Sequence, residues 1–303
     1  MKIGFVGTVE SSAALLKATL AAGGDVAAVG ALPPEVGAAR HADYVDLAPI
    51  AAEAGAPLYD LSTPDGLQRL VAQSAPDVLF VFGWSRLIPN DLLAGVPMGG
   101  VGFHPAPLPI GRGRHPLIWS IVLGLQESAA CFMRLTEEAD AGAVFVQRPF
   151  AIADDETARS LMDKAIAAAT AAVPDLLHAL TSRGVAAAVP QDESRAVVWR
   201  KRSPADGRID FRMSGSAIDR LVRALHPPYP GAEAVHSEIG AIVVREVAVR
   251  SDRTAVGPVE PGRVVATRDG APVVATSDGA VVLTDYACAA GGRPEIRLGS
   301  SFC

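Results

Sequence analysis

Apolar residues run without interruption, rather than in alternation, through three early segments: KIGFVG at Lys2–Gly7, DVLFVFG at Asp77–Gly83 and GGVGFH at Gly99–His104. Between them lie stretches whose apolar residues recur at helical spacing, at Ser11–Ala22, Thr63–Ser74 and, more briefly, Asn90–Leu93. A strand that is apolar at every position is covered on both faces. The alternation therefore predicts a mainly parallel sheet sandwiched by helices. A fourth strand is expected at Ala129–Leu135 (AACFMRL), ahead of the polar turn TEEADAG. A long helix is expected over Asp154–Leu180, capped at Asp154 or Asp155 and kinked or divided by Pro174, which lacks the N–H a helix interior uses.

Beyond Gly184 the pattern changes. From Pro190 to Gly207 the chain is rich in charge and carries Pro204 and the turn pair Asp206-Gly207, which suits a linker. One helix follows at Ser216–Leu225, then β-rich pieces broken at Asp269-Gly270 and Asp278-Gly279, predicting a small barrel or sandwich. The expected division is 1–189, a linker at 190–206, and 207–303. A chain of 303 residues that is 50% hydrophobic can fill two such cores.

Composition narrows the classes. No uninterrupted apolar run of roughly 18 residues occurs, and MKIGFVGTVESS enters a strand directly, so a soluble, unexported protein is expected. Cys131, Cys288 and Cys303 show no C-x-x-C spacing, which favours a reducing compartment, the cytoplasm. A net charge of −6 weighs against a bulk nucleic-acid partner.

Ligands of open α/β sheets bind outside the carboxyl ends of the strands. Three such ends stand out: Phe82–Pro89 (FGWSRLIP), His104–Pro116 (HPAPLPIGRGRHP) and Thr136–Gly142 (TEEADAG), expected to converge at one edge. The second, dense in proline and glycine, reads as a stiff loop able to hold a catalytic group accurately. His104 ends its strand, and an imidazole exchanges protons near neutral pH, as general base work on an amine requires. Asp140 is placed to accept a hydrogen bond from that ring and fix its tautomer. The plainer alternative is a histidine that merely ends a strand and an acid in an ordinary turn. Arg112 and Arg114 are candidate anion contacts, and His115 is a second-choice base. Cys131 reads as a small core residue, and Trp199-Arg200-Lys201-Arg202 as a solvated linker. The first loop lacks G-x-G-x-x-G, and no metal-ligand spacing is present.

At these residues the chain resembles the formyltransferase family that uses 10-formyltetrahydrofolate, which includes methionyl-tRNA formyltransferase and the amino-sugar N-formyltransferases. The likeness runs nearly end to end. Phe5-Val6-Gly7-Thr8 is similar to the family's first strand, and Gly102–Pro116 to its N-x-H-x-S-L-L-P-x-x-R-G-x-x-P loop. Ala139-Asp140-Ala141-Gly142 is similar to its D-x-G, and KRSPADGRIDF at Lys201–Phe211 to the tract opening its carboxyl-terminal domain. The resemblance implies an α/β fold, with a Rossmann-like, mainly parallel catalytic domain followed by a smaller β-rich, OB-like one. It implies His104 as general base with Asp140 supporting it, and a folate site at Phe82, Gly83, Trp84, Leu87, Ile88, Pro89 and Asp140. Gly102 stands where the family has an asparagine that helps hold the formyl oxygen.

Two branches differ in their acceptor. Enzymes acting on initiator tRNA resemble one another in a basic insertion after the second strand, as many phosphate contacts require. Here Leu32–Asp46 holds one arginine, three acids and no lysine. The expected acceptor is a small amine, a nucleotide-linked or acidic amino sugar, touched by Arg112, Arg114 and His115. No nucleic acid, membrane or metal partner is expected, and a homodimer is among the assemblies open to the chain. Methionyl-tRNA formyltransferase, a formyltetrahydrofolate hydrolase and a non-catalytic folate-binding homologue stand as alternatives.

Overall fold

The computed structural model of the chain describes residues 1–251, 257–289 and 291–303. Two compact units form. The first comprises Met1–Gly113, Glu127–Ala151 and Asp163–Trp199, the second Arg114–Gln126, Ile152–Met162 and Arg200–Cys303.

The first unit opens with β1 (Lys2–Val6), α1 (Glu10–Ala21), β2 (Asp25–Ala31), α2 (Pro34–Arg40), α3 (Ala48–Glu53), β3 (Leu58–Asp60) and α4 (Gly66–Ser74). It continues through β4 (Val78–Val81), α5 (Asn90–Ala94), β5 (Gly100–His104) and the short β6 (Ile110–Gly113). After an excursion through α6 (Pro116–Val122) in the second unit come β7 (Glu127–Arg134), β8 (Val144–Ala151), most of α7 (Ala158–Arg183) and β9 (Val197–Trp199). Seven strands form one sheet in the order β3-β2-β1-β4-β5-β7-β8. The first five in that order pair in parallel. β7 and β8 join antiparallel, so the expectation that all three loop-bearing strand ends share one edge is corrected for β7.

The uninterrupted apolar runs have the predicted cause. Ile3 and Phe5 of β1, with Val78 and Phe80 of β4, face Leu15 and Leu16 of α1 and Ala169, Val173 and Leu176 of α7. Val6, Leu79 and Val81 point the other way, into a core with Leu70 and Leu93. Pro174 lies inside α7 without dividing it. It cannot donate to the carbonyl four residues back, yet Val173, Leu176 and Leu177 beside it are buried, and that packing outweighs one missing hydrogen bond. By length and composition the helical stretch 158–187 could cross a membrane; its apolar stripe is spent on this core. The helix starts later than expected, where Thr157 Oγ1 accepts from Ser160 N (3.2 Å) and Ser160 Oγ from Thr157 N (3.0 Å).

The second unit contains α6, α8 (Gly215–Ala224) and β10 (Ala232–His236), β11 (Gly240–Arg250), β12 (Val264–Arg268), β13 (Ala271–Ala275) and β14 (Ala280–Cys288). These strands form an antiparallel sheet in the order β10-β11-β14-β13-β12. Ser301 and Phe302 bridge Arg263 and His236, so this segment links the two edges of the sheet. Asp269-Gly270 is the predicted hairpin turn, with φ of 49° and 75° as a two-residue turn of the primed kind requires.

The stretch expected to be a solvated linker is mostly exposed, and parts of it are regularly paired. β9 pairs in parallel with β6, and Trp199 is buried. Arg200 and Arg202 lie 5.3 and 4.9 Å from the centroid of the Trp119 ring, and Arg200 pairs with Asp206. Arg200 and Arg202 are thus engaged within the second unit.

Candidate active site

β5 presents Gly100, Gly102 and His104 on one face of the sheet, because side chains alternate along a strand. Since Arg134 of β7 lies opposite Val101, the turn after β7 begins at the far end of β5 from His104. It reaches His104 by folding back along the strand. Leu135 N donates to Gly100 O (2.8 Å), and a Cβ at Gly100 or Gly102 would stand 2.8 Å from a Leu135 methyl. Bare backbone at these two positions is what lets the turn lie down. Asp140 then arrives with Oδ1 3.6 Å from His104 Nδ1. It holds a φ of 58°, a strained left-handed conformation that aspartate tolerates better than most residues.

The buried His104 ring is fixed from the other side. Its Nε2 lies 2.7 Å from Gly111 O, and since a carbonyl can only accept, Nε2 carries the proton. In the neutral ring Nδ1 is therefore a lone pair facing the Asp140 carboxylate. The sequence-based expectation that Asp140 fixes the tautomer is corrected: Gly111 does so. Asp140 is itself held by Gly113 N, which donates to Oδ2 (2.9 Å). Gly113 has φ 102°, and a Cβ there would meet Trp199 O at 2.3 Å, so only glycine fits.

Arg112, between these glycines, is 2% exposed and faces inward. Its Nε and Nη2 donate to Gln191 Oε1 (3.1 and 3.0 Å), and Nη1 and Nη2 to the two oxygens of Glu193 (2.9 and 2.6 Å). Hydrogen bonding to Glu193 raises its pKa further. The expectation that Arg112 grips the acceptor is corrected, because its donors are taken up inside the protein. Gln191 and Glu193 went unnoticed within the charged stretch. The available signal was that an arginine in a stiff, apolar loop needs a partner acid if it is buried.

The Phe82–Pro89 segment leaves the carboxyl end of β4. The Phe82 ring sits in the core against Phe5, Phe80 and Phe132, and its carbonyl accepts from Ser12 Oγ (2.6 Å), so neither is free for a ligand. Gly83 (φ 71°) turns the chain outward, Trp84 and Ile88 lean on the core, and Leu87 is 77% exposed. At the end of β1, Glu10 N donates to Asp43 O and Val45 N to Thr8 O, so the 43–45 segment covers the start of α1.

Cys131 pairs in register with His104. Its Sγ lies 2.8 Å from Ala106 O and 3.0 Å from Gln147 Oε1, and burial pushes the thiol up to about 12, as suits an inert core residue. Arg114 and His115 belong to the second unit. Arg114 is exposed; His115 is half-buried, and its Nδ1 accepts from Arg202 N (3.2 Å). Burial, then Arg202, Arg114 and Lys201, hold its pKa below the usual value.

Residues 1–177 match the formyl transferase family, and residues 201–294 match the formyl transferase C-terminal domain. The chain belongs to the formyl transferase family. HypX from Aquifex aeolicus, solved in complex with tetrahydrofolic acid, is similar with a TM-score of 0.66 and 21% identity, over 94% of this chain and 44% of HypX. The chain thus spans less than half of that protein. An N-formyltransferase from Helicobacter canadensis, in complex with folinic acid and dTDP-3-aminofucose, has a TM-score of 0.67 and 14% identity, over 93% of this chain and 98% of that one. Methionyl-tRNA formyltransferase from Clostridium thermocellum gives 0.54 and 18%, over 83% and 95%. At these identities the likeness is one of fold.

Proposed function

We propose that the protein transfers a formyl group from 10-formyltetrahydrofolate to the amine of a small acceptor, a nucleotide-linked or acidic amino sugar. The observation that carries this reading is the His104 ring, buried, with Nε2–H spent on Gly111 O and Nδ1 left as a base beside Asp140. Membership of the formyl transferase family supports the reaction class. The Helicobacter canadensis protein supports the acceptor class by its likeness in fold, as does the α2 region, where Glu35, Asp43 and Asp46 outnumber Arg40.

The donor, when bound, supplies a formyl carbon open to attack by an amine. Nδ1 of His104 takes the proton that the amine nitrogen sheds as its bond to that carbon forms. The Asp140 carboxylate balances the charge on the resulting imidazolium. The imidazolium then returns the proton to the departing folate nitrogen, so the histidine ends as it began. Trp84, Leu87, Ile88 and Pro89 offer the apolar edge and backbone groups a pterin ring favours, and Gly83 aims that segment. Three unpaired cysteines suit the reducing cytoplasm.

The test is mass-spectrometric detection of N-formylated product from nucleotide-linked amino sugars and 10-formyltetrahydrofolate, with His104→Ala as control. Product from the wild type alone supports the reading. Formylation of methionyl-tRNA at physiological salt, or formate release that needs no amine, overturns it.

A further inference from the structure

Three successive residues of the 110–113 segment touch both members of the candidate pair or anchor what does. Gly111 O receives the His104 Nε2 proton and Gly113 N holds Asp140 Oδ2, and Arg112 between them is the side chain that ties the segment down. Its guanidinium spends four donor contacts on Gln191 and Glu193. Gln191 carries the restraint onward. With its oxygen committed to Arg112, its amide nitrogen donates to Asp140 O (2.8 Å) and Gly142 O (2.7 Å). Those bonds hold the backbone on the carboxyl side of the strained Asp140 conformation. A buried guanidinium without acceptors is strongly unfavourable, so the segment cannot move without a large cost. A planar fork engages an amide oxygen and both oxygens of a carboxylate in one fixed geometry.

We propose that Arg112 and Gln191 are positioning residues: through Gly111, Gly113 and the Asp140 and Gly142 carbonyls they set the tautomer of His104 and the place of Asp140. Neither touches the acceptor. This rests on reading His104 and Asp140 as the reacting pair, but the arrangement of the ring itself can be examined without turnover.

The experiment uses the full chain, labelled with 15N in its histidines. Loss of a resonance in His104→Gln assigns the ring. In the wild type, Nε2 is expected to be protonated and Nδ1 not. Gln191→Leu removes both bonds to the Asp140 loop together with the two that Arg112 donates to Gln191; it should shift the His104 nitrogens and lower kcat by roughly 10- to 100-fold, as misplacement of a reacting group does. The acceptor KM should move less than about threefold, because no acceptor contact is lost. Arg112→Lys should behave likewise, since an ammonium cannot span both partners. If Gln191→Leu fails to fold, Glu193→Gln is the milder probe, and it should shift the same resonances. Unchanged His104 resonances and kcat in a folded variant overturn the proposal, and so does a rise in KM with kcat unchanged. A wild type with no formyl transfer but the expected ring response overturns the functional reading alone.

Discussion

At the scale of single residues, the His104 ring is held at Nε2 by Gly111 O, with Asp140 standing at Nδ1. His104 was legible because a histidine closing an apolar strand before a proline-rich loop is an unusual placement. Its tautomer was not legible, because it depends on a carbonyl of a glycine seven positions later. His104→Ala is expected to cost two to four orders of magnitude in kcat, as loss of a general base does, with 5-formyltetrahydrofolate binding retained; a steady-state assay and calorimetry measure the two. Gly102 has a second consequence. Leu135 already occupies the space a side chain there would fill, so Gly102→Asn should overpack the site and destabilise the fold by about 1–3 kcal/mol. Combined with Leu135→Ala, the asparagine has room, and if His104 marks the reacting site it brings a donor there, so kcat should exceed that of Gly102→Asn alone. Chemical denaturation and turnover of the two variants, compared side by side, decide it.

At the scale of elements, the central strands and their helices followed directly from the pattern, since an apolar run four to seven residues long has few other uses. The direction of β7 did not. Its apolar residues would fill the sheet in either sense, and only the register running from Val101–Arg134 to His104–Cys131 fixes it. The 190–199 stretch is mostly exposed, as its charge suggests; what the charge does not show is that Glu193 also reaches the buried Arg112 guanidinium. The Phe82–Pro89 segment shows both outcomes, with Phe82 turned into the core and Leu87 thrust outward. If that segment edges the folate cleft, Leu87→Asp should weaken 5-formyltetrahydrofolate binding by about tenfold or more. It should leave the melting temperature nearly unchanged, because an exposed substitution rarely shifts stability beyond about 0.5 kcal/mol. Calorimetry showing wild-type affinity would place the folate elsewhere.

At the scale of the whole molecule, the second unit carries an acid sensitivity of its own. His236 is buried, its Nδ1 accepts from Glu238 N and Ile239 N (3.2 Å each), and Nε2 meets Ser300 Oγ at 2.8 Å. Burial lowers its pKa, as it lowers that of His115. In both rings a proton on Nδ1 would displace a backbone donor. A histidine whose folded pKa is depressed contributes stability above its unfolded value near 6.5, and that stability is lost as pH falls through the folded value. Unfolding free energy should therefore decline below about pH 6.5, by at most about 1.4 kcal/mol per pH unit for each ring. Denaturant titrations at pH 7.5 and 5.5 should show the decline, and His115→Gln should reduce it. An equal slope in that variant would assign the effect to His236 and the carboxylates.

The sealed thiol of Cys131 turns the protein into its own clock. Cys288 and Cys303 are open to solvent in part or in full, and Cys131 lies against the strand that ends in His104. A thiol reagent added under native conditions should therefore consume two equivalents quickly and a third only when the sheet parts at β5 and β7. The rate of that third step, followed over denaturant, reports how often the strand bearing His104 is exposed, with no label introduced and no substrate required.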